Sequence, residues 1–125
     1  MNIVKLECSE YILDWYRDKE IEIDVDKYVF FEVEYRGGDA AWYLQGHRYI
    51  ESTKEWVVDD FDYHMCRTYE IAKFIAKANK IKDKNGFARN RVSRFNNLHY
   101  SSDFYKKLSN LLDLVKEYEE VKNAN

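Results

Sequence analysis

The spacing of apolar residues changes once along this chain, and that change constrains the fold more than any other feature. In the stretches 21–26 and 31–35, apolar residues alternate with acidic ones. A strand sends such alternate side chains to opposite faces, so one face would be apolar and the other acidic. After Val58 the apolar residues recur at every third or fourth position, which is the period of an amphipathic helix. Strands followed by helices predict an α+β fold.

Two turn signals divide the first half into strands. Residues 36–39 read Arg-Gly-Gly-Asp, and glycine reaches positive φ without steric cost, so a turn is predicted before a strand that resumes at Ala41. A second turn at 52–54 would return residues 55–58 along residues 48–50. Both connections predict antiparallel pairing.

The N-terminal residues are interpreted as a strand followed by a short helix. Ile3 to Leu6 form a short apolar stretch, and Ser9 offers an N-cap oxygen to a helix over residues 10–16. With the strands described above, we expect an N-terminal antiparallel β-sheet of about four to five strands.

Two amphipathic helices are predicted in the second half. Asp59 and Asp60 would cap the first and complement its dipole, and Gly86 would end it. The last helix would begin at Ser101-Ser102-Asp103 and bury a stripe that includes Leu111 and Val115. We expect both helices to pack on the apolar face of the sheet.

Length and composition favour one cytoplasmic domain over residues 1–125, sheet-rich over 1–58 and helical over 59–122. The chain has no proline and four glycines, which leaves no flexible linker. No stretch approaches the roughly twenty apolar residues of a membrane span, and the N-terminus lacks the features of a signal peptide, so we expect no membrane association. Cys8 and Cys66 lie far apart without a CxxC partner, which is typical of free thiols in a reducing compartment, and a single bridge stays open.

The formal net charge of −3 hides a strong polarity along the chain. Residues 1–72 carry eight Lys and Arg against seventeen Asp and Glu, a net of −9. Residues 73–94 carry eight against one, a net of +7, and residues 95–125 contribute −1. We call residues 73–97 the basic strip. Its helical lysines are spaced four, three and four apart, which places them on one face of a helix.

The basic strip predicts a site for an anionic partner. Lysines supply point charges, arginines supply planar forks suited to phosphate or carboxylate, and Phe87 and Phe95 could stack on a base. In the alternative interpretation Phe87, Ala88, Val92 and Phe95 are the buried stripe of a short helix over 87–95, and the cations are solvated or pair with the acidic sheet. The candidate ligand-binding residues are Lys73, Lys77, Lys80, Lys84, Phe87, Arg89, Asn90, Arg91 and Arg94.

The acidic face of the predicted sheet supports a second hypothesis, a protein-binding inhibitor that docks on a basic surface. Its ordinary interpretation is a solvated face whose charges discourage strand pairing. The carboxylates concerned are Glu20, Glu22, Asp24, Asp26, Glu32 and Glu34.

A third hypothesis is a metal-dependent nuclease or phosphodiesterase that uses Asp60, Asp62 and His64. An acidic helix start explains the same residues without a metal. The sequence has no zinc spacing, phosphate loop, dinucleotide glycine motif or nucleophile elbow. We therefore expect no cofactor, no metal and no catalytic residue, and the sequence favours a binding protein over an enzyme.

In its size, its lack of proline and its richness in Lys, Glu, Asn and Tyr, the chain is similar to small phage- or mobile-element-encoded proteins that inhibit host defences. The similarity is one of composition over the whole chain, and it transfers no residue. It implies a small non-catalytic inhibitor whose partner is a host protein. With the basic strip, it predicts engagement of an anionic partner: nucleic acid, a nucleotide signal or an acidic protein surface. Exposed Tyr and Trp make a homo-oligomer a further expectation.

Overall fold

Most of the strands precede the two helices along the chain, which confirms the α+β class. The computed structural model describes residues 1–12, 15–36, 41–61, 65–85, 91–92 and 102–123. Its elements are β1 (Ile3–Ile12), β2 (Trp15–Asp24), a 3₁₀ turn (Val25–Lys27), β3 (Phe30–Arg36), β4 (Ala41–Ile50), β5 (Glu55–Asp60), α1 (Thr68–Asn85), β6 (Arg91–Val92) and α2 (Ser102–Asn123).

The strands form two sheets, where the sequence predicted one sheet of four to five strands. β1 and β2 make an antiparallel pair of their own. The second sheet has the order β5-β4-β3-β6, antiparallel except for the parallel pairing of β6 with β3. The 3₁₀ turn after β2 explains the division, because it interrupts the extended chain. Asp24 caps this turn by accepting a hydrogen bond from the Asp26 backbone N–H at 3.1 Å.

The predicted hairpins of the second sheet are confirmed. β3 pairs with β4 from Phe30 opposite His47 to Arg36 opposite Ala41. β5 returns along β4 after a turn at residues 51–54, where Lys54 has a φ of 57°.

The predicted helix over residues 10–16 is wrong, because residues 10–12 belong to β1 and residues 15–16 to β2. Tyr11 lies opposite Tyr16, and Ile12 lies opposite Trp15. Aromatic and β-branched residues favour strands, and cross-strand pairs of this kind stabilise a hairpin. The apolar residues that suggested an amphipathic turn are cross-strand partners.

The predicted start of the first helix at Asp59 and Asp60 is also wrong. Both residues lie in β5, and α1 begins at Thr68. Arg48 of β4 donates to the Asp59 carboxylate at 2.9 and 3.3 Å, so this acid stabilises a strand pair instead of a helix dipole. The predicted end of the helix before Gly86 agrees with the structure.

The segment Met65–Cys66 joins the two sheets. Met65 and Ser9 of β1 exchange two backbone hydrogen bonds, with N···O distances of 2.8 and 3.0 Å. Cys66 and Trp42 of β4 exchange two more, at 2.9 and 2.8 Å. The segment therefore lies as a very short strand between β1 and β4.

The core lies where both sheets meet α1. Phe74 of α1 is buried and meets Phe31 of β3 edge on, with ring centres 5.2 Å apart. α2 adds Leu111 and Val115, both from its predicted stripe. The buried Asn79 of α1 donates to Glu119 of α2 at 2.7 Å, which satisfies a polar group inside the helix interface.

Tyr28 packs on the inner face of the second sheet and contacts both β4 and β5. Its ring lies across Gly46 of β4, so close that a Cβ at position 46 would stand 2.6 Å from two ring carbons. Its hydroxyl donates to Asp59 at 2.8 Å, beside Arg48. Burial and the bond to Asp59 raise the pKa of Tyr28 to about 12. The hydrogen bond from Arg48 holds the pKa of Asp59 below its ordinary value.

We predict that Gly46→Ala destabilises the fold by about 1 to 3 kcal/mol, because the methyl group would overlap a rigid ring in a packed core. Urea unfolding measures the change. In a double-mutant cycle with Tyr28→Ala, the cost of the methyl group should largely disappear. An unchanged cost without the ring would show that a different contact excludes the side chain.

Asp59 should contribute stability that depends on pH. Because its folded pKa lies below the unfolded value of about 3.9, the contribution is complete above that value and is lost as pH falls through the folded pKa. Thermal unfolding between about pH 6 and pH 2 should therefore show a shallower loss of stability for Asp59→Asn than for the wild type. Arg48→Leu should flatten the profile in the same way. A wild-type slope in both variants would assign the effect to other carboxylates.

Candidate functional site

Part of the basic strip lies on the exposed side of α1. Lys73 and Lys77 are exposed, whereas Lys80, in the next turn of the helix, is partly buried. The Nζ atom of Lys73 lies 3.9 Å from a carboxylate oxygen of Glu70 and 5.3 Å from the centre of the Tyr69 ring. The structure thus brings Lys73 and Lys77 together on one face, as predicted.

Most of the remaining predicted site lies outside the described residues. This is the case for Phe87, Arg89, Asn90 and Arg94. For Lys84, in the last turn of α1, and for Arg91, in β6, the structure describes the backbone.

The backbone of β6 settles one alternative for the basic strip. Arg91 and Val92 are extended and pair in parallel with Glu32 and Val33 of β3. The helix considered for residues 87–95 is therefore wrong at these two positions. The chain here runs along the edge of the second sheet.

The six carboxylates of the predicted acidic face are divided between the two sheets. Glu20 and Glu22 lie on β2, and Asp24 and Asp26 lie at the 3₁₀ turn. The other two, Glu32 and Glu34, lie on β3. Asp24 accepts from the backbone of the 3₁₀ turn, and Asp26 accepts from the Asn2 side chain at 2.9 and 3.0 Å. The two aspartates therefore organise local structure.

The outer face of the second sheet carries a cluster of large side chains, which we call the aromatic face. Backbone register places His47 between Phe30 and Val58, and places Tyr49 opposite Trp56. The Phe30 and His47 rings stack with their centres 4.3 Å apart and an angle of 10°. Trp56 lies 5.2 Å from the Tyr49 ring and 6.1 Å from the Phe30 ring.

Two members of the aromatic face are open to solvent. Trp56 is 56% exposed and Val58 is 49% exposed. The other three members are partly buried by their neighbours on the sheet. An exposed indole held by contacts with neighbouring rings is a typical feature of a binding surface.

Carboxylates border the aromatic face on the same side of the sheet. Glu32, Gln45 and Asp60 lie in one row across β3, β4 and β5. Glu34 follows on β3 and accepts from Gln45 at 2.8 Å and from Arg36 at 3.3 Å. We call Glu32, Glu34 and Asp60 the acidic border.

His47 connects the aromatic face to the acidic border. Its Nε2 atom lies 2.6 Å from Glu32 Oε1. The contact becomes an ion pair when the imidazole is protonated.

A cavity of about 350 Å³ lies between the first hairpin and the start of α1. Four carboxylates and two cations are among the residues that line it. The lining residues are Glu7, Cys8, Ser9, Asp18, Lys19, Glu20, Met65, Arg67, Tyr69 and Glu70. Burial raises the pKa of the Cys8 thiol to about 11, so the thiolate that a nucleophile requires is scarce at neutral pH.

The predicted metal cluster falls largely outside the described residues, because Asp62 and His64 belong to a stretch that the structure does not describe. Asp60 is exposed in β5. Within the described ranges, no group of three or more His, Cys, Asp or Glu side chains is placed to hold a metal ion. Of the helices in those ranges, none has the length and apolar character needed to cross a membrane.

Sequence reasoning missed the aromatic face, although a signal was present. His47 and Tyr49 alternate along β4, and Trp56 and Val58 alternate along β5. This alternation places four large side chains on one face of the sheet.

Comparisons of the chain with models of protein families, with curated proteins and with solved structures found no match.

Proposed function

We propose that this chain is a non-catalytic binding protein that docks a basic protein surface on its aromatic face and acidic border. The exposure of Trp56 on a rigid, ring-supported sheet face is the observation that carries the proposal. Interface cores are enriched in Trp and Tyr, and alanine scans find these residues among the strongest contributors to affinity.

The aromatic face is preorganised for binding. Its side chains stand on three hydrogen-bonded strands and contact each other across them. Tyr28 and the pair of Arg48 with Asp59 hold β5 to β4 from the opposite face. A partner would therefore meet a surface that loses little side-chain freedom on binding.

The charge of the border selects the class of partner. Among the side chains that the structure describes, Glu32, Glu34 and Asp60 share this side of the sheet with Arg36, which lies 4.0 Å from the centre of the Tyr43 ring. The backbone of Arg91 on β6 pairs with Glu32 in the same row. A phosphate backbone would be repelled by these carboxylates, whereas Lys and Arg of a protein would be attracted. Arginine can also stack on exposed aromatic rings, which Trp56 offers.

In this proposal the chain acts as an inhibitor of a host protein, with carboxylates in the position that phosphates take on a nucleic-acid-binding surface. Glu32 and Glu34 of the acidic sheet would bind the partner, whereas Asp24 and Asp26 would have a structural role.

We predict that Trp56→Ala weakens binding at least tenfold, since a central interface tryptophan commonly contributes this much or more. A pull-down with the wild-type chain, scored for proteins and co-purifying nucleotides, would identify the partner. Titration calorimetry would then compare the variants.

Trp15→Ala is the matched control for this experiment. Trp15 is 53% exposed, nearly as much as Trp56, but it lies on β2 outside the aromatic face. Its replacement should leave the affinity unchanged. Loss of binding in Trp15→Ala with full binding in Trp56→Ala would move the interface to the first hairpin.

A second candidate function is binding of an anionic partner by the basic strip. The observation that favours it is the shared exposed face of Lys73 and Lys77 on α1, which leads along the chain toward the arginines at 89, 91 and 94. Nucleic acid, a nucleotide signal and an acidic protein surface all fit this charge.

For this candidate, Arg89, Arg91 and Arg94 replaced together by Ala should abolish binding of the anionic partner and leave the fold intact. Against single-stranded nucleic acid, Lys77→Ala should reduce the slope of log affinity against log salt by about 0.7. Lys116→Ala, an exposed lysine on α2, is the control and should change neither quantity. Retained binding in the triple variant would eliminate the strip as the working surface.

A further inference from the structure

The register of the segment between the two sheets places Cys8 opposite Cys66. Ser9 and Met65 form an antiparallel pair and exchange both of their backbone hydrogen bonds. One step further in the same register, position 8 falls opposite position 66. Cys66 turns its own N–H and C=O to Trp42 of β4, so in this register the two positions are a non-hydrogen-bonded pair, as alternation in a strand requires.

Non-hydrogen-bonded antiparallel pairs bring Cα atoms to about 4.5 Å, which lies within the range of about 4.4 to 6.8 Å found for disulfides. The side chains of such a pair project from the same face. Both cysteines are buried, with 7% and 1% exposure, and neither is part of a disulfide. Burial raises the pKa of Cys66, and the charge that Cys8 would carry raises it further, in agreement with two neighbouring sulfur atoms.

We propose that Cys8 and Cys66 are a dithiol pair that closes to a disulfide when a low-molecular-weight disulfide, such as oxidised glutathione, is in excess. One cysteine, as thiolate, attacks the small disulfide, forms a mixed disulfide and releases one thiol. The second cysteine, as thiolate, attacks the mixed disulfide, forms the Cys8–Cys66 bond and releases the second thiol. Two electrons pass to the small disulfide, and the two cysteine protons end on the released thiols.

The bond would join β1 covalently to the segment that is hydrogen-bonded to β4. In the reduced protein that junction rests on backbone hydrogen bonds between Ser9 and Met65 and between Cys66 and Trp42. The bridge would also close a loop of more than fifty residues in the unfolded chain. A loop of this size should raise Tm by on the order of 10 °C.

The test is equilibration of the folded wild-type protein in glutathione buffers of defined ratio, followed by acid quench and peptide mass mapping. We expect an intramolecular link between the peptides that contain Cys8 and Cys66, a loss of two hydrogen atoms in mass and the higher Tm. Exchange should accelerate about tenfold per pH unit from pH 7 to 9, because the Cys8 pKa is about 11. Native protein that stays reduced in excess oxidised glutathione, or that links only between chains, would overturn the proposal.

Two comparisons test the register itself. The variant that combines Cys8→Ala with Ser9→Cys keeps two cysteines but moves one to the opposite face of β1, so it should not form the intramolecular bond. Independently of any variant, the equilibrium constant for the bridge in the native wild type should exceed that in urea by roughly a thousandfold. Equal constants in the two states, or ready closure in the shifted variant, would show that native geometry does not favour the bond.

Discussion

The hydrogen bonds that Met65 and Cys66 make to both sides are the interaction on which the rest of this structure depends. A two-stranded hairpin such as β1–β2 is marginally stable alone, and the second sheet would leave Trp42 without a neighbour on that side of β4. Met65 is hydrogen-bonded to Ser9 and Cys66 to Trp42, so the segment connects the two small sheets edge to edge. α1 begins immediately afterwards and covers the apolar side of both sheets.

This arrangement leaves the two faces of the second sheet with different tasks. The inner face is filled by Phe31, Val33 and Leu44, and Tyr28 closes it over Gly46. The core and α1 occupy that side, so the side chains that alternate with these residues point away from the core. Trp56 is therefore exposed as a consequence of pairing register, and its position depends on the same contacts that stabilise the fold.

Local periodicity could be predicted from the sequence, whereas contacts between distant segments could not. The pairing of β3 with β4 and of β4 with β5 was predicted because alternation and turn residues act over a few positions. The N-terminal hairpin was missed because Tyr11, Ile12 and Trp15 fit a helical stripe as well as a strand pair. Asp59, predicted as a helix cap, lies in β5, where it pairs with Arg48 from eleven residues earlier in the chain. For the candidate site, Lys73 and Lys77 were placed on one face, whereas the aromatic face needed the register of three strands.

Among the described strands, β2 pairs with β1 alone, so its other edge is a place where a second copy of the chain could add a strand. Arg17 and Lys19 project from one face of this strand, and Asp18 and Glu20 project from the other. Two copies related by a two-fold axis perpendicular to the sheet would pair antiparallel with equivalent faces side by side, so cations would meet cations and carboxylates would meet carboxylates. Charges on an edge strand commonly prevent such pairing. A homo-oligomer of this chain would therefore need a surface other than the β2 edge, and the aromatic face, with its solvent-exposed indole, is one surface that offers apolar contact.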